Sequence, residues 1–298
     1  MSKLGRLFKF LYKEVIRKKN FPNTVNYEIT AKCNLKCEHC YRNKSWDVEN
    51  ELSDKEWIKL FKDHKKRGAE AAYLTGGEPT LRMNVVHAAE KIFPYMGLVT
   101  NGTIKVPENI QRRIFVSIDG PRNVHDKIRH AKIFDKIMKN IHGDKRVILT
   151  PCLSMTNYRY IDELIQITRG SGVEGITFSL YTASYGNDPL LLKGKELNWT
   201  INKLREVWKN NRDIVFLTPY IINLFKTKKF YKSCYFMKEK YFMSFWPNGD
   251  LKQPCVMGPG ISCATCGCIV PVMSYALEHF DIRAWFLFDK FFPERYYP

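Results

Sequence analysis

Long apolar runs are missing from this chain. No run approaches the roughly 18 consecutive apolar residues that a bilayer-crossing helix needs, so none is predicted. Acid is also short. The 30 Asp and Glu face 48 Lys and Arg, a formal net charge of +18. Such an imbalance calls for an anionic partner: a membrane surface, a nucleic acid or a phosphorylated substrate. The core of a secretory signal is missing too, because charges interrupt every apolar stretch near the N-terminus. Without one, nine cysteines point to a reducing compartment and to metal binding rather than to disulfides. Glutamine is scarce while lysine and isoleucine abound, a composition that leans towards heat-adapted proteins. No RNA-reading module is recognisable, and the 24 residues before the first strand are too few for a separate peptide-binding domain. At 298 residues the chain can bury one large core, or a large domain with a small appendage.

Three of the cysteines lie close together as Cys33-x3-Cys37-x2-Cys40, just after an apolar, β-prone stretch at 25–29. They therefore sit on the loop that follows a first strand. Zinc would favour C-x2-C pairs with a fourth ligand nearby, and His39, between two of the cysteines, is badly placed to complete a tetrahedron. An iron–sulfur cluster held by three cysteines instead keeps one iron open for chemistry.

Residues 3–19 read as a helix with Leu4, Leu7, Phe8, Leu11, Val15 and Ile16 on one face and lysines and arginines elsewhere. It either covers the bottom of the fold or lies in a membrane interface. Then a pattern repeats. Strands are expected at 25–30, 71–75, 97–100, 113–118, 146–152 and 175–180. Helices are expected at 53–67, where Ser53-Asp54-Lys55-Glu56 is a capping box, and at 83–93, 131–141, 158–169 and 197–209. Six alternating βα units predict an α/β fold, a partial (β/α)6 TIM barrel with its site where the parallel strands end.

The loops at those ends carry further signals. Thr75-Gly76-Gly77-Glu78-Pro79 follows the second strand, Thr100-Asn101-Gly102 the third, and Ser117-Ile118-Asp119-Gly120-Pro121 the fourth, with His125 to Arg129 beyond. Together with the cysteine motif they resemble the radical S-adenosylmethionine (SAM) superfamily over residues 25 to about 215. The resemblance implies a [4Fe–4S] cluster on Cys33, Cys37 and Cys40, with SAM as ligand of the open iron and a low-potential electron donor as partner. It implies that Gly76, Gly77 and Glu78 reach the methionine end of SAM and that Tyr41 packs near the adenine. Ser117 and Asp119 stand where ribose or carboxylate contacts are made, and Arg129 is a candidate for the SAM carboxylate. Asn101 either contributes there or only caps its turn. The implied reaction is reductive cleavage of SAM to a 5′-deoxyadenosyl radical, which abstracts hydrogen from an unactivated carbon. The protein positions the cofactor and keeps water out. No catalytic residue beyond these is identified.

Residues 229–272 form a cysteine-rich extension with Cys234, Cys255, Cys263, Cys266 and Cys268, and 245–251 read as a hairpin. This tail resembles the SPASM/twitch extensions of radical SAM enzymes, but with five cysteines and a closing C-x2-C-x-C. One auxiliary [4Fe–4S] cluster is implied, preferably on Cys234, Cys255, Cys263 and Cys266, with Cys268 as the alternative to the last. Zinc is the competing occupant. Cys152 reads as a core residue. The organisation is thus a basic helix (1–22), a core barrel (23–228), the extension (229–272) and an aromatic, basic C-terminal segment (273–298) that either joins the core or meets a membrane.

Two amphipathic ends and the high charge lead to a cytoplasmic, peripheral membrane enzyme acting on an isoprenoid or alkyl chain of a lipid, by C–C bond formation or adenosylation. Hopanoid-adenosylating and tetraether-forming radical SAM enzymes are similar in outline. Peptide or protein modification is the first alternative, nucleic-acid modification the second. A bare electron carrier is disfavoured, because it needs no SAM pocket.

Overall fold

A computed structural model describes residues 21–42, 50–184, 188–234, 236 and 242–291. The 3–19 helix and the residues beyond 291, including Tyr296 and Tyr297, lie outside them. The strands are β1 (Thr24–Glu28), β2 (Ala71–Thr75), β3 (Tyr95–Thr100), β4 (Arg113–Val116), β5 (Val147–Leu149), β6 (Cys152–Leu153), β7 (Gly175–Ile176), β8 (Ser179–Leu180) and β9 (Phe242–Phe245). The helices are α1 (Asp54–Arg67), α2 (Met83–Ile92), α3 (Arg122–Arg129), α4 (Phe134–Ile141), α5 (Ile161–Ser171), α6 (Gly194–Asn210), α7 (Pro219–Thr227), α8 (Ile269–Glu278) and α9 (Ile282–Phe291).

Seven strands form one parallel sheet in the order β7-β5-β4-β3-β2-β1-β9, with β6 and β8 paired separately beyond it. The sheet is open, which makes it a partial barrel. Alternation sorts its faces. Tyr27 on β1 turns outward onto Phe61 of α1, ring centres 4.8 Å apart. Asn26 turns inward, where its Nδ2 donates to Ser244 Oγ of β9 at 2.9 Å and its Oδ1 accepts from Thr75 Oγ1 at 3.1 Å. The expected capping box opens α1: Glu56 N donates to Ser53 Oγ at 3.3 Å and Ser53 N to Glu56 Oε2 at 2.7 Å. Gly68, at φ 117°, ends the helix in the left-handed region.

Four expectations need correction. The 131–141 helix is preceded by a separate helix, α3. The 146–152 strand breaks at Pro151, which cannot donate to a ladder, so β5 and β6 join different sheets. The 175–180 strand divides likewise into β7 and β8. The 245–251 turn does close, with Trp246 N donating to Asp250 O at 2.8 Å, but the antiparallel pairing is a single bridge, Phe245 to Leu251. The strand entering that turn, β9, lies parallel to β1 and adds a seventh member to the barrel sheet.

Part of the aromatic C-terminal segment closes the N-terminal end of the barrel. Phe291 of α9 lies against Phe115 and Phe216, ring centres 6.2 and 5.9 Å apart. The buried Arg113 donates its Nε to Phe291 O at 3.2 Å and its Nη1 to Lys145 O at 2.9 Å. Phe280, Ile282 and Phe286 of the same region are exposed. Among the described residues, no helix is long and apolar enough to cross a membrane.

Candidate functional site

The cysteine loop leaves β1 at the C-terminal mouth of the sheet. Ile29 N donates to Thr75 O at 3.0 Å, Gly77 N to Thr30 O and Glu78 N to Lys32 O at 2.8 Å each, so the Gly-Gly-Glu turn zips onto the strand that feeds the cysteines. This explains the glycines. A Cβ on Gly77 would stand 2.2 Å from Lys32 O, and one on Gly76, at φ +142°, would stand 2.5 Å from Thr30 O. The close approach they permit is first of all to the cysteine loop's own backbone.

Within the loop, Cys40 N donates to Cys37 O at 3.2 Å, a tight turn. Cys33 is exposed, Cys37 buried and Cys40 half-buried. Leu35 N donates to Cys33 Sγ at 3.4 Å and Arg129 Nη1 to Cys37 Sγ at 3.5 Å. Burial pushes both thiols up, and these N–H donors and the guanidinium pull them back towards thiolate. N–H donors on sulfur are what an iron–sulfur site uses to tune its cluster, so the donor set fits that group.

The neighbouring loops converge on the same mouth. Glu78, fully buried, accepts from Thr80 Oγ1 and Thr100 Oγ1 at 2.6 Å each, from Thr80 N at 3.0 Å and from Asn101 N at 2.7 Å. Its carboxylate is therefore an internal brace, and its backbone is committed too, the N–H to Lys32 O and the carbonyl accepting from Leu81 N at 3.1 Å. Asn101 does cap its turn, its Oδ1 accepting from Thr103 N at 3.0 Å, but its Nδ2 also donates to Asn34 Oδ1 of the cysteine loop at 2.8 Å. Ser117 is half-buried just after β4, its N–H donating to Thr100 O at 3.1 Å.

Arg129, the candidate for the SAM carboxylate, is buried. Its Nε and Nη2 reach Asp119 Oδ2 at 2.7 and 2.6 Å, and Cys152 N donates to Asp119 Oδ1 at 3.1 Å. Burial alone would push the Asp119 carboxyl up, but Arg129, with His39 and His125 behind it, outweighs that and holds it at about 2. Burial drives the Cys152 thiol up to about 12, an inert half-buried residue. Tyr41 donates from its hydroxyl to Glu28 Oε1 at 2.9 Å.

The five tail cysteines, Cys234, Cys255, Cys263, Cys266 and Cys268, line one hollow, walled otherwise by apolar groups such as Phe230, Phe236 and Ile261. Among the described residues, no three or more His, Cys, Asp or Glu gather as they would around a single metal ion. Cys266-Gly267-Cys268 threads along the barrel rim: Leu180 N donates to Gly267 O at 2.8 Å and Gly267 N to Thr182 Oγ1 at 3.0 Å. A Cβ on Gly267 would stand 2.2 Å from Leu180 O, so this glycine is what lets the two flanking cysteines come so near the barrel. Neither Glu28 nor Lys252, which pair inside the barrel, is marked by any motif; a lone lysine after a turn carries no signal in sequence.

Residues 27–147 match the Radical SAM superfamily. Fe-coproporphyrin III synthase of Methanosarcina barkeri is 32% identical over 171 residues, 52% of this chain and 43% of that protein. The sporulation killing factor maturation protein SkfB of Bacillus subtilis is 24% identical over 214 residues, 65% of this chain and 52% of that protein. The chain thus spans about half the length of these curated relatives. Streptococcus suis SuiB, solved with S-adenosylmethionine bound, has the same fold at a TM-score of 0.63 and 17% identity, covering 85% of this chain and 65% of that one. A [4Fe–4S] cluster and SAM are the cofactors of that superfamily, and the Cys33–Cys40 loop offers the three thiols it requires. Residues 27–147 of this chain are a Radical SAM domain, set in the open parallel barrel that carries its site at the strands' C-terminal ends.

Proposed function

We propose that this chain is a radical SAM enzyme that takes hydrogen from an unactivated carbon, with one auxiliary [4Fe–4S] site in its tail. One observation carries the proposal: two thiol sets stand at one barrel, Cys33, Cys37 and Cys40 at its mouth and the five tail cysteines around a hollow pinned to its rim at Leu180. When bound, the cluster and SAM supply reductive cleavage of a sulfonium C–S bond. The chain's part is placement. The Gly76-Gly77 backbone holds the cysteine loop, the Asp119–Arg129 pair sets a fixed charge beside Cys37, and Glu78 locks the Asn101 turn. Tyr41, Ser117 and Arg129 remain the residues we assign to SAM contacts.

The substrate we favour is a peptide or protein side chain. Its support is the likeness to a sporulation killing factor maturation protein over 65% of this chain and the cysteine tail. A membrane lipid is the second reading, favoured by exposed Phe280, Ile282 and Phe286 beside the exposed Arg283.

Anaerobic reconstitution tests the chemistry. Under strong reductant the loaded protein is expected to release 5′-deoxyadenosine from SAM, and the Cys33→Ala variant none. Full iron with no 5′-deoxyadenosine in the wild type would sink the reading. A precursor peptide encoded beside this chain should accelerate release, and total lipid extract should not. Acceleration by lipid alone, with flotation on anionic vesicles, would turn the substrate assignment to the second reading.

A further inference from the structure

Lys252 is a tail cation that points into the barrel. It follows the turn that ends β9, and it is 2% exposed. Its Nζ donates to Glu28 Oε1 on β1 and, at 2.6 Å, to Val256 O. It also lies 4.2 Å from the centre of the Trp246 ring and 4.9 Å from that of Tyr41. The same Glu28 oxygen accepts from the Tyr41 hydroxyl at 2.9 Å.

Tyr41 follows Cys40, and Val256 follows Cys255. Hydrogen bonds through Tyr41, Glu28, Lys252 and Val256 therefore join the loop of one cysteine set to the wall of the other. Stability does not call for such a pair. Taking two charges out of water costs several kcal/mol each, and an apolar pair of the same volume often holds a fold as well (an order-of-magnitude comparison). What an apolar pair could not supply is a fixed charge on each side. Charges interact strongly at short range in surroundings of low polarity. The potential of an iron–sulfur cluster follows the net charge and hydrogen bonds around it.

We propose that Glu28 and Lys252 are positioning residues that couple the two cysteine sites, with the Lys252 ammonium raising, and the Glu28 carboxylate lowering, the electron affinity of a cluster in the tail hollow. This rests on the reading of that hollow as an auxiliary-cluster site. The two charges act with opposite sign, and that separates their electrostatic role from a merely structural one.

The test uses the full chain, reconstituted anaerobically as wild type, Lys252→Met, Lys252→Arg and Glu28→Gln. Iron per chain is counted, and midpoint potentials are followed by electron paramagnetic resonance, the tail signal being the one lost in Cys255→Ala. At unchanged iron content, Lys252→Met should move the tail midpoint to more negative potential and Glu28→Gln to less negative, with Lys252→Arg close to wild type. Full iron with unmoved midpoints, or shifts of one sign in both variants, would overturn the proposal. If Lys252→Met loses iron, the direction of the Glu28→Gln shift and the return of Lys252→Arg to the wild-type value decide it. Wild-type protein that takes up iron for one cluster only would remove the auxiliary-site reading itself, and this proposal with it.

Discussion

Glu78 commits both carboxylate oxygens to the protein, accepting from two threonine hydroxyls and two backbone amides. A glutamine there keeps the shape but turns an N–H₂ towards donors. Glu78→Gln is therefore expected to cost about 1–3 kcal/mol, the penalty of a buried polar group left facing its own kind. Urea unfolding checks it, and a wild-type midpoint would show that the carboxylate is not needed as a brace. At this scale much was legible in sequence. Three cysteines, two glycines and an aspartate at the ends of successive strands announced a site. The partners of those residues were not legible. Arg129 is marked in sequence as a candidate for the SAM carboxylate, but its contacts with Asp119 and Cys37 exist only once α3 turns it onto them, and Glu28 and Lys252 lie 224 positions apart.

Among elements, α9 is the one whose environment sequence left open. Its aromatic, basic composition suits a membrane interface and a protein core equally. One part of the helix is settled by Phe115, Ile148 and Phe216, which leave an apolar seat at the barrel's N-terminal end for Leu287 and Phe291, while Ile282 and Phe286 stay exposed. Phe291→Ala is expected to destabilise the protein by about 2 kcal/mol, less than a fully buried phenylalanine because this one is half-buried. Hydrogen exchange should quicken across α9 while β2 to β4 keep their protection; uniform protection in the variant would mean that α9 is held by other contacts. One helix that sequence missed, α3, has too thin an apolar stripe to show. Val124 and Ile128 are buried beside His125 and Arg129, so half of its inner face is polar. The β9 strand shows the opposite failure. Its turn was visible, but a turn fixes only the local hairpin, and the wider pairing went to β1.

The molecule as a whole carries an acid sensitivity that sums over buried histidines. Burial holds both His64 and His125 at about 4. An unfolded histidine takes its proton near 6.5, so from about 6.5 down to about 4 the unfolded chain binds more protons than the folded one. Stability is then full above the unfolded value and falls as pH falls through this window, by about 3 kcal/mol for each histidine at most. The urea midpoint should drop between pH 7 and 4.5, and His64→Gln should flatten the drop; an unchanged slope in that variant would contradict it. Asp119, held at about 2, adds its own loss only lower, between about 4 and 2. Sequence by itself determined the parallel α/β architecture, the family of the 27–147 domain and the two groups of clustered cysteines, because strand periodicity, turn glycines and thiol spacing are local and survive without a fold. Tertiary structure alone decided that the tail joins the barrel sheet through β9, that all five tail cysteines share one hollow, and that a buried ion pair runs between the two groups of cysteines. These depend on which distant surfaces meet. That is set by side-chain packing across the whole core and leaves no periodic mark on the chain.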